Sequence, residues 1–186
     1  MHILLKNIVE GDEQDNPLMV QIYCDMDGVL TDMDGGFKRI SGGLTPKEYS
    51  IINGKNSPWK LIGTVPNFWL NLDKLPDANV LWNFIRMNFK TPPPVVLSAG
   101  MGSIVLSQKK QWIHTHIDST ATVLIAQSGQ KKSDCTLSIH GRVTHVLIDD
   151  TQKNVDVWQN KSPDHIAIFH KNALSSIDQL KAFLPK

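Results

Sequence analysis

Two closely spaced pairs of carboxylates, Asp25 with Asp27 and Asp149 with Asp150, each follow a short run of apolar strand formers. VQIYC (20–24) stops at Asp25, THVLI (144–148) stops at Asp149, and a third run, PVVL (94–97), stops at Ser98. Ligands of open parallel sheets bind just past the carboxyl ends of the strands. If the three runs are such strands, four acids and a hydroxyl converge on one crevice. Like charges held together raise each other's pKa unless a cation offsets them. A donor set of oxygens points to a hard ion, magnesium above all. Such an ion can bridge a carboxylate and a phosphate oxygen, so the chemistry this pattern suits is phosphoryl transfer. Taken singly, each acid reads as a turn former or helix cap, and so does Ser98. Their joint order is what carries the chemical reading.

The elements that must position these groups alternate along the chain. Further apolar runs are TVLIA (122–126) and HIAIF (165–169), and amphipathic stretches near 77–89, 103–117, 151–160 and 173–184 predict helices between the runs. Strands separated by helices imply right-handed crossovers and a parallel sheet. The expected fold is α/β, a Rossmann-like parallel sheet with helices on both faces. One interval breaks the rhythm, with Gly42, Gly43, Gly54, Pro46, Pro58 and Pro66 among Trp59, Phe68 and Trp69. We read residues 33–76 as a small, mostly helical cap inserted after the first strand. The core is then 1–32 and 77–186, with 1–18 an N-terminal arm or edge hairpin.

Composition bounds the rest. The chain has 186 residues, 41% hydrophobic and 20% charged, which suits one globular core with an insertion. A net charge of +1 gives no global basic field, hence no strong nucleic-acid signal. No stretch approaches the roughly 20 apolar residues of a membrane span. The two cysteines, Cys24 and Cys135, form no metal-binding pattern, and Cys24 lies in the first apolar run, as a buried reduced thiol would. A cytoplasmic, reducing location is expected. His114 and His116 are spaced so that they do not share a helix face, and no metal is expected there.

DMDGVLTD (25–32) resembles the first motif of the haloacid-dehalogenase superfamily, a strand followed by DxDx[TV]. VVLS (95–98), Lys109 and VLIDD (146–150) resemble its second, third and fourth motifs, in family order. The resemblance implies a magnesium-dependent phosphatase in which Asp25 is the nucleophile and Asp27 protonates the leaving oxygen, then activates water. It implies that Ser98 and Lys109 contact the phosphoryl group, with Lys109 also neutralising the nucleophile, and that Gly28 turns the loop whose amides cradle phosphate. Magnesium would be held by Asp25, the backbone carbonyl of Asp27 and the Asp149/Asp150 pair, with Asp150 preferred as direct ligand.

A narrower likeness lies around the first motif. DMDGVLTDMDGGFKR, NFWLNLDKLPDA (67–78) and KKQWI (109–113) are similar to segments of the 5′(3′)-deoxyribonucleotidases, the last favouring Lys109 over Lys110. It implies a (deoxy)nucleoside monophosphate as the small phosphorylated substrate and is compatible with a homodimer. Phe37, Trp59 and Trp69 are expected at the substrate, together with Ala99 and with Lys131, or its neighbour Lys132, at the phosphate. Met33 stands where that family carries an aromatic residue packed on the base, and Ser98-Ala99 replaces a Thr-Ser pair. A sugar-phosphate phosphatase, a polynucleotide-end phosphatase and a catalytically idle binding protein are the rival readings.

Overall fold

A computed structural model describes residues 19–184; the arm expected over 1–18 lies outside the described residues. Five strands, β1 (Met19–Cys24), β2 (Val95–Ala99), β3 (Thr122–Ala126), β4 (Val143–Asp149) and β5 (His165–Phe169), form one sheet in the order β3-β2-β1-β4-β5. All neighbours are parallel, with Ile22 beside Val146 and Tyr23 beside both Val95 and Leu147. The chain moves outward from β1 to β3, then returns to the other side of β1 for β4. That reversal puts the switch point of the topology at the carboxyl end of β1, where such sheets bind ligands.

Strand alternation divides the core by face. On one side Ile22, Cys24, Val96, Val146 and Ile148 pack with α4 (Ala78–Asn88), α5 (Gly102–His116) and α7 (Ala173–Leu180). In α4 the buried residues are Ala78, Leu81, Trp82 and Ile85, the three-and-four spacing of a helix with one apolar face. On the other side Tyr23, Leu97 and Leu147 pack with Val155 and Trp158 of α6 (Gln152–Gln159). Helices therefore cover both faces, three on one and one on the other. The β3-to-β4 connection carries only a 3₁₀ turn, Lys132–Asp134. Trp82 and Trp112 are core residues.

Between β1 and α4 lie α1 (Met33–Ser41), α2 (Pro46–Asn53), α3 (Ser57–Gly63) and a 3₁₀ turn, Phe68–Asn71. Asp32 caps α1 by accepting from the Gly35 amide at 2.8 Å, and Thr45 with Glu48 forms a capping box on α2. Met33, Phe37, Ile62, Phe68, Trp69 and Leu72 form a small apolar core of this segment's own. Gly36 lets α1 press on it, since a Cβ there would stand 2.2 Å from a Leu72 methyl. The chain enters and leaves this segment along paired backbone. The Asp32 amide donates to the Asp73 carbonyl at 2.8 Å, and the Leu75 amide donates to the Leu30 carbonyl at 3.0 Å.

Candidate active site

β1 delivers Asp25, and β4 delivers Asp149, at adjacent strand ends. Ligand oxygens of Asp25, Asp149 and Asp150 all lie within 4.8 Å of one another. Asp25 and Asp149 are buried, while Asp150 is exposed at the crevice. The turn after Asp25 depends on Gly28, whose φ of 78° is left-handed and whose missing Cβ leaves room for the Asp150 carboxylate; a Cβ would stand 2.0 Å from its Oδ2. Ser98 and Asp149 lie within their strands rather than past them, paired with Ile125 and Phe169; Asp149 is the last residue of β4 and Ser98 the last but one of β2.

One ammonium sits inside this acidic cluster, and it belongs to Lys132. Its Nζ lies 2.7 Å from Asp25 Oδ1 and 2.6 Å from Asp149 Oδ2, with the side chain almost wholly buried. The place beside Asp25 expected for Lys109 is thus taken by Lys132, and the adjacent Lys131 is exposed, its backbone amide donating to Asp134. Reach decides this outcome. Lys132 stands on a 3₁₀ turn packed against α6, β2 and β3 and extends its side chain to the ends of β1 and β4, whereas Lys109 comes from α5, which covers the other face of the sheet. The sequence signal was present but indistinct: two adjacent lysines upstream of an acid-ended strand, of which only one points inward. Asn154 was missed altogether. Its amide donates to both Asp149 oxygens at 3.1 Å, and the Thr151 amide adds a third donor at 2.9 Å.

Lys109 serves the second acid of the motif instead. Fully buried, it contacts Asp27 Oδ2 and donates to Ser98 Oγ at 2.9 Å and to the Ala99 carbonyl at 2.7 Å. Ser98 also donates to Asp27 Oδ2 at 3.3 Å, and Thr31 donates to Asp27 Oδ1 at 3.4 Å. Lys110 is exposed. The crevice therefore holds two cations in separate places, Lys132 between Asp25 and Asp149, and Lys109 behind Asp27.

The electrostatics follow from this crowding. Burial raises the Asp25 pKa to about 8, and Asp149 and Asp27 add to the rise while Lys132 opposes it. Asp25 and Asp149 hold the Lys132 ammonium charged, well above the ordinary lysine range, against its own burial. Desolvation and then Asp149 raise Asp150 to about 6, less than Asp25, as its exposed side would require. Burial pushes the Cys24 thiol far up, which keeps it protonated and inert beside Asp25. Three carboxylates converge here and a single ammonium reaches two of them, so the cluster is short of positive charge. An oxygen-only donor set of this kind fits a hard divalent cation.

The expected substrate contacts separate by burial. Phe37 is wholly buried with its ring edge-on to Tyr49, 5.5 Å between centroids; Met33 and Trp69 are buried in the same apolar cluster. These three side chains are engaged in the segment's own core. Trp59, on α3, is 54% exposed. Ala99 is exposed at the end of β2 and offers its carbonyl to Lys109.

No protein-family model matches this sequence, and no curated protein matches it. The fold has solved counterparts. A hydrolase from Streptococcus pneumoniae TIGR4 aligns over 87% of this chain and 97% of its own, with a TM-score of 0.50 and 12% identity. A haloacid dehalogenase-like hydrolase from Burkholderia xenovorans LB400 aligns over 91% of this chain and 90% of its own, with a TM-score of 0.52 and 14% identity. Among the described residues no helix is long and apolar enough to cross a membrane. At such identities the likeness is one of architecture, and this chain has the Rossmann-like parallel-sheet core of the haloacid dehalogenase-like hydrolases.

Proposed function

We propose that this chain is a magnesium-dependent phosphomonoester hydrolase working through an aspartyl-phosphate on Asp25. The observation that carries the reading is the convergence of Asp25, Asp149 and Asp150 around Lys132, with Asp27, Ser98 and Lys109 beside them. Asp25, Asp150 and the Asp27 backbone carbonyl would hold the ion. Asp149 already accepts from Lys132, Asn154 and Thr151, which leaves Asp150 the freer ligand. The ion would supply positive charge against the phosphoryl oxygens.

The protein groups then divide the work. An Asp25 carboxylate oxygen attacks phosphorus as the bond to the leaving oxygen breaks, and Asp27 passes that oxygen its proton. Asp27 next takes a proton from the water that attacks the aspartyl-phosphate, which frees inorganic phosphate and restores Asp25. Lys132 beside the nucleophile offsets the phosphoryl charge, Ser98 offers its hydroxyl opposite, and Lys109 holds Asp27 and Ser98 from behind. The substrate we favour is a (deoxy)nucleoside monophosphate. The support is the motif likeness at 25–39 and the exposed indole of Trp59, since base–aromatic stacking contributes about 1–3 kcal/mol.

The test is hydrolysis of dUMP, dTMP, 3′-nucleotides, sugar phosphates and a 3′-phosphorylated oligonucleotide, with magnesium and with a chelator. Nucleotide turnover that disappears on chelation and in Asp25→Asn is expected. Activity surviving either would overturn the mechanism. Sugar phosphates turned over much faster than every nucleotide would overturn the substrate while leaving the mechanism in place.

A further inference from the structure

Lys109 is closed in by groups from two parts of the molecule. Asp27 in the turn after β1, with Ser98 and the Ala99 carbonyl on β2, takes its hydrogen bonds, and Lys109 is 0% exposed. The remaining side is covered by the ring of Trp69, whose centroid lies 4.0 Å from the ammonium, in cation–π range. Trp69 belongs to the apolar cluster of the inserted segment, with Met33, Phe37 and Phe68. The contact is one of a strip. Gln108 Nε2 donates to Asn67 Oδ1 at 3.4 Å, and Trp112 Nε1 donates to the Leu72 carbonyl at 2.8 Å. Positions 108, 109 and 112 of α5 thus each grip the stretch 67–72, and the middle grip is a charge that also holds Asp27.

We propose that Lys109 is a positioning residue that ties the Asp27 carboxyl group to the inserted segment, so that Asp27 is held in place only while Trp69 is seated over Lys109. The inference rests on the reading of Asp27 as acid and base. Three acceptors and one aromatic face satisfy a cation that no water reaches. Lifting Trp69 admits water to the ammonium, and water competes for the donors that fix Asp27 and Ser98. Lys132 cannot take over, because Asp25 and Asp149 already engage it. Seating of the segment is therefore felt at the proton-transfer group, some distance from any contact with substrate. Esters with poor leaving groups need that proton; activated aryl esters scarcely do.

The experiment compares kcat and KM on p-nitrophenyl phosphate and on glycerol 2-phosphate, neither of which carries a base to stack. Asp27→Asn sets the reference, since a general acid contributes about 10²- to 10⁴-fold. Lys109→Met and Trp69→Leu should each lower kcat on glycerol 2-phosphate at least about tenfold more than on p-nitrophenyl phosphate, and the double variant should do no worse than the stronger single one. Trp69→Phe, which keeps a ring, should behave as wild type. Backbone amides of 67–72 should exchange faster in Lys109→Met. Equal losses on both esters in folded variants, or additive losses, would overturn the coupling alone. A wild type inactive on both esters would remove the phosphatase reading and this inference with it. Should Lys109→Met fail to fold, Trp69→Leu against Trp69→Phe decides by the same ratio.

Discussion

Replacing Lys132 by methionine removes the only ammonium within reach of Asp25 and Asp149 among the described residues and keeps the length of the side chain. In the wild type that ammonium lies 2.7 Å from one carboxylate and 2.6 Å from the other, with both acids buried. Breaking a buried ion pair from one side costs about 3–5 kcal/mol, because the partner charge stays behind unpaired. For a domain of this size each kcal/mol moves Tm by about 2–4 °C, so the metal-free variant should melt roughly 6–20 °C lower at alkaline pH. The loss must depend on pH in a definite sense. The folded-state pKa of Asp25 is raised to about 8 from the ordinary 3.8, so its contribution is fully present below 3.8 and is lost as pH rises through 8. Without Lys132 the rise is larger, so Asp25 stays protonated at pH 6 and the penalty there is smaller than at pH 8.5. Thermal melts of both proteins at the two pH values, in chelator and then in excess magnesium, supply the measurement. Magnesium should return part of the lost Tm at pH 8.5, because it neutralises the same carboxylates. A variant that melts within about 2 °C of wild type in chelator at pH 8.5 would refute this account of the cluster.

Other outcomes follow from the same geometry. The Tm increase that magnesium gives the wild type should be larger at pH 8.5 than at pH 5.5, because Asp25 and Asp150, raised to about 8 and about 6, hold protons that compete with the metal at the lower pH; an increase independent of pH would count against carboxylate ligation. Gly28→Ala places a Cβ 2.0 Å from Asp150 Oδ2 at a φ of 78°, so it should cost about 1–3 kcal/mol in stability and weaken magnesium binding in calorimetric titration. Trp59→Ala, at a side chain 54% exposed, should leave Tm unchanged and raise KM for nucleotides but not for sugar phosphates. Equal KM changes for both classes would detach Trp59 from the base.

The strands and the first acidic pair were legible because both signals are local. An apolar run of five or six residues ended by an acid specifies a strand and what stands at its tip, whatever the rest of the chain does. The helices were legible from their three-and-four spacing, and their limits shifted by only a residue or two at most ends. The partners of the acids were not legible in the same way. Lys109 and the pair Lys131/Lys132 were picked out in sequence as phosphate-side cations, but which lysine meets which acid depends on where α5 and the 132–134 turn cross the sheet. Nothing local encodes that crossing. The aromatic residues of 33–76 posed a similar difficulty. Phe37 and Trp69 have the same composition signal as Trp59, but a segment of some forty residues needs an apolar centre of its own, and those two were drawn into it.

The paired backbone at the mouth of that segment bears on how the molecule could diversify. Leu30–Asp32 and Asp73–Leu75 run side by side, joined at 2.8 Å and 3.0 Å and by an antiparallel bridge between Thr31 and Lys74. Entry and exit therefore meet at a single seam beside Asp27, and no strand of the sheet is threaded through the inserted residues. A different stretch of chain could be grafted at this seam without altering the register of any strand, so what the crevice admits can drift while the acids stay where they are. One restriction would travel with every graft: the newcomer must again lay a ring over Lys109.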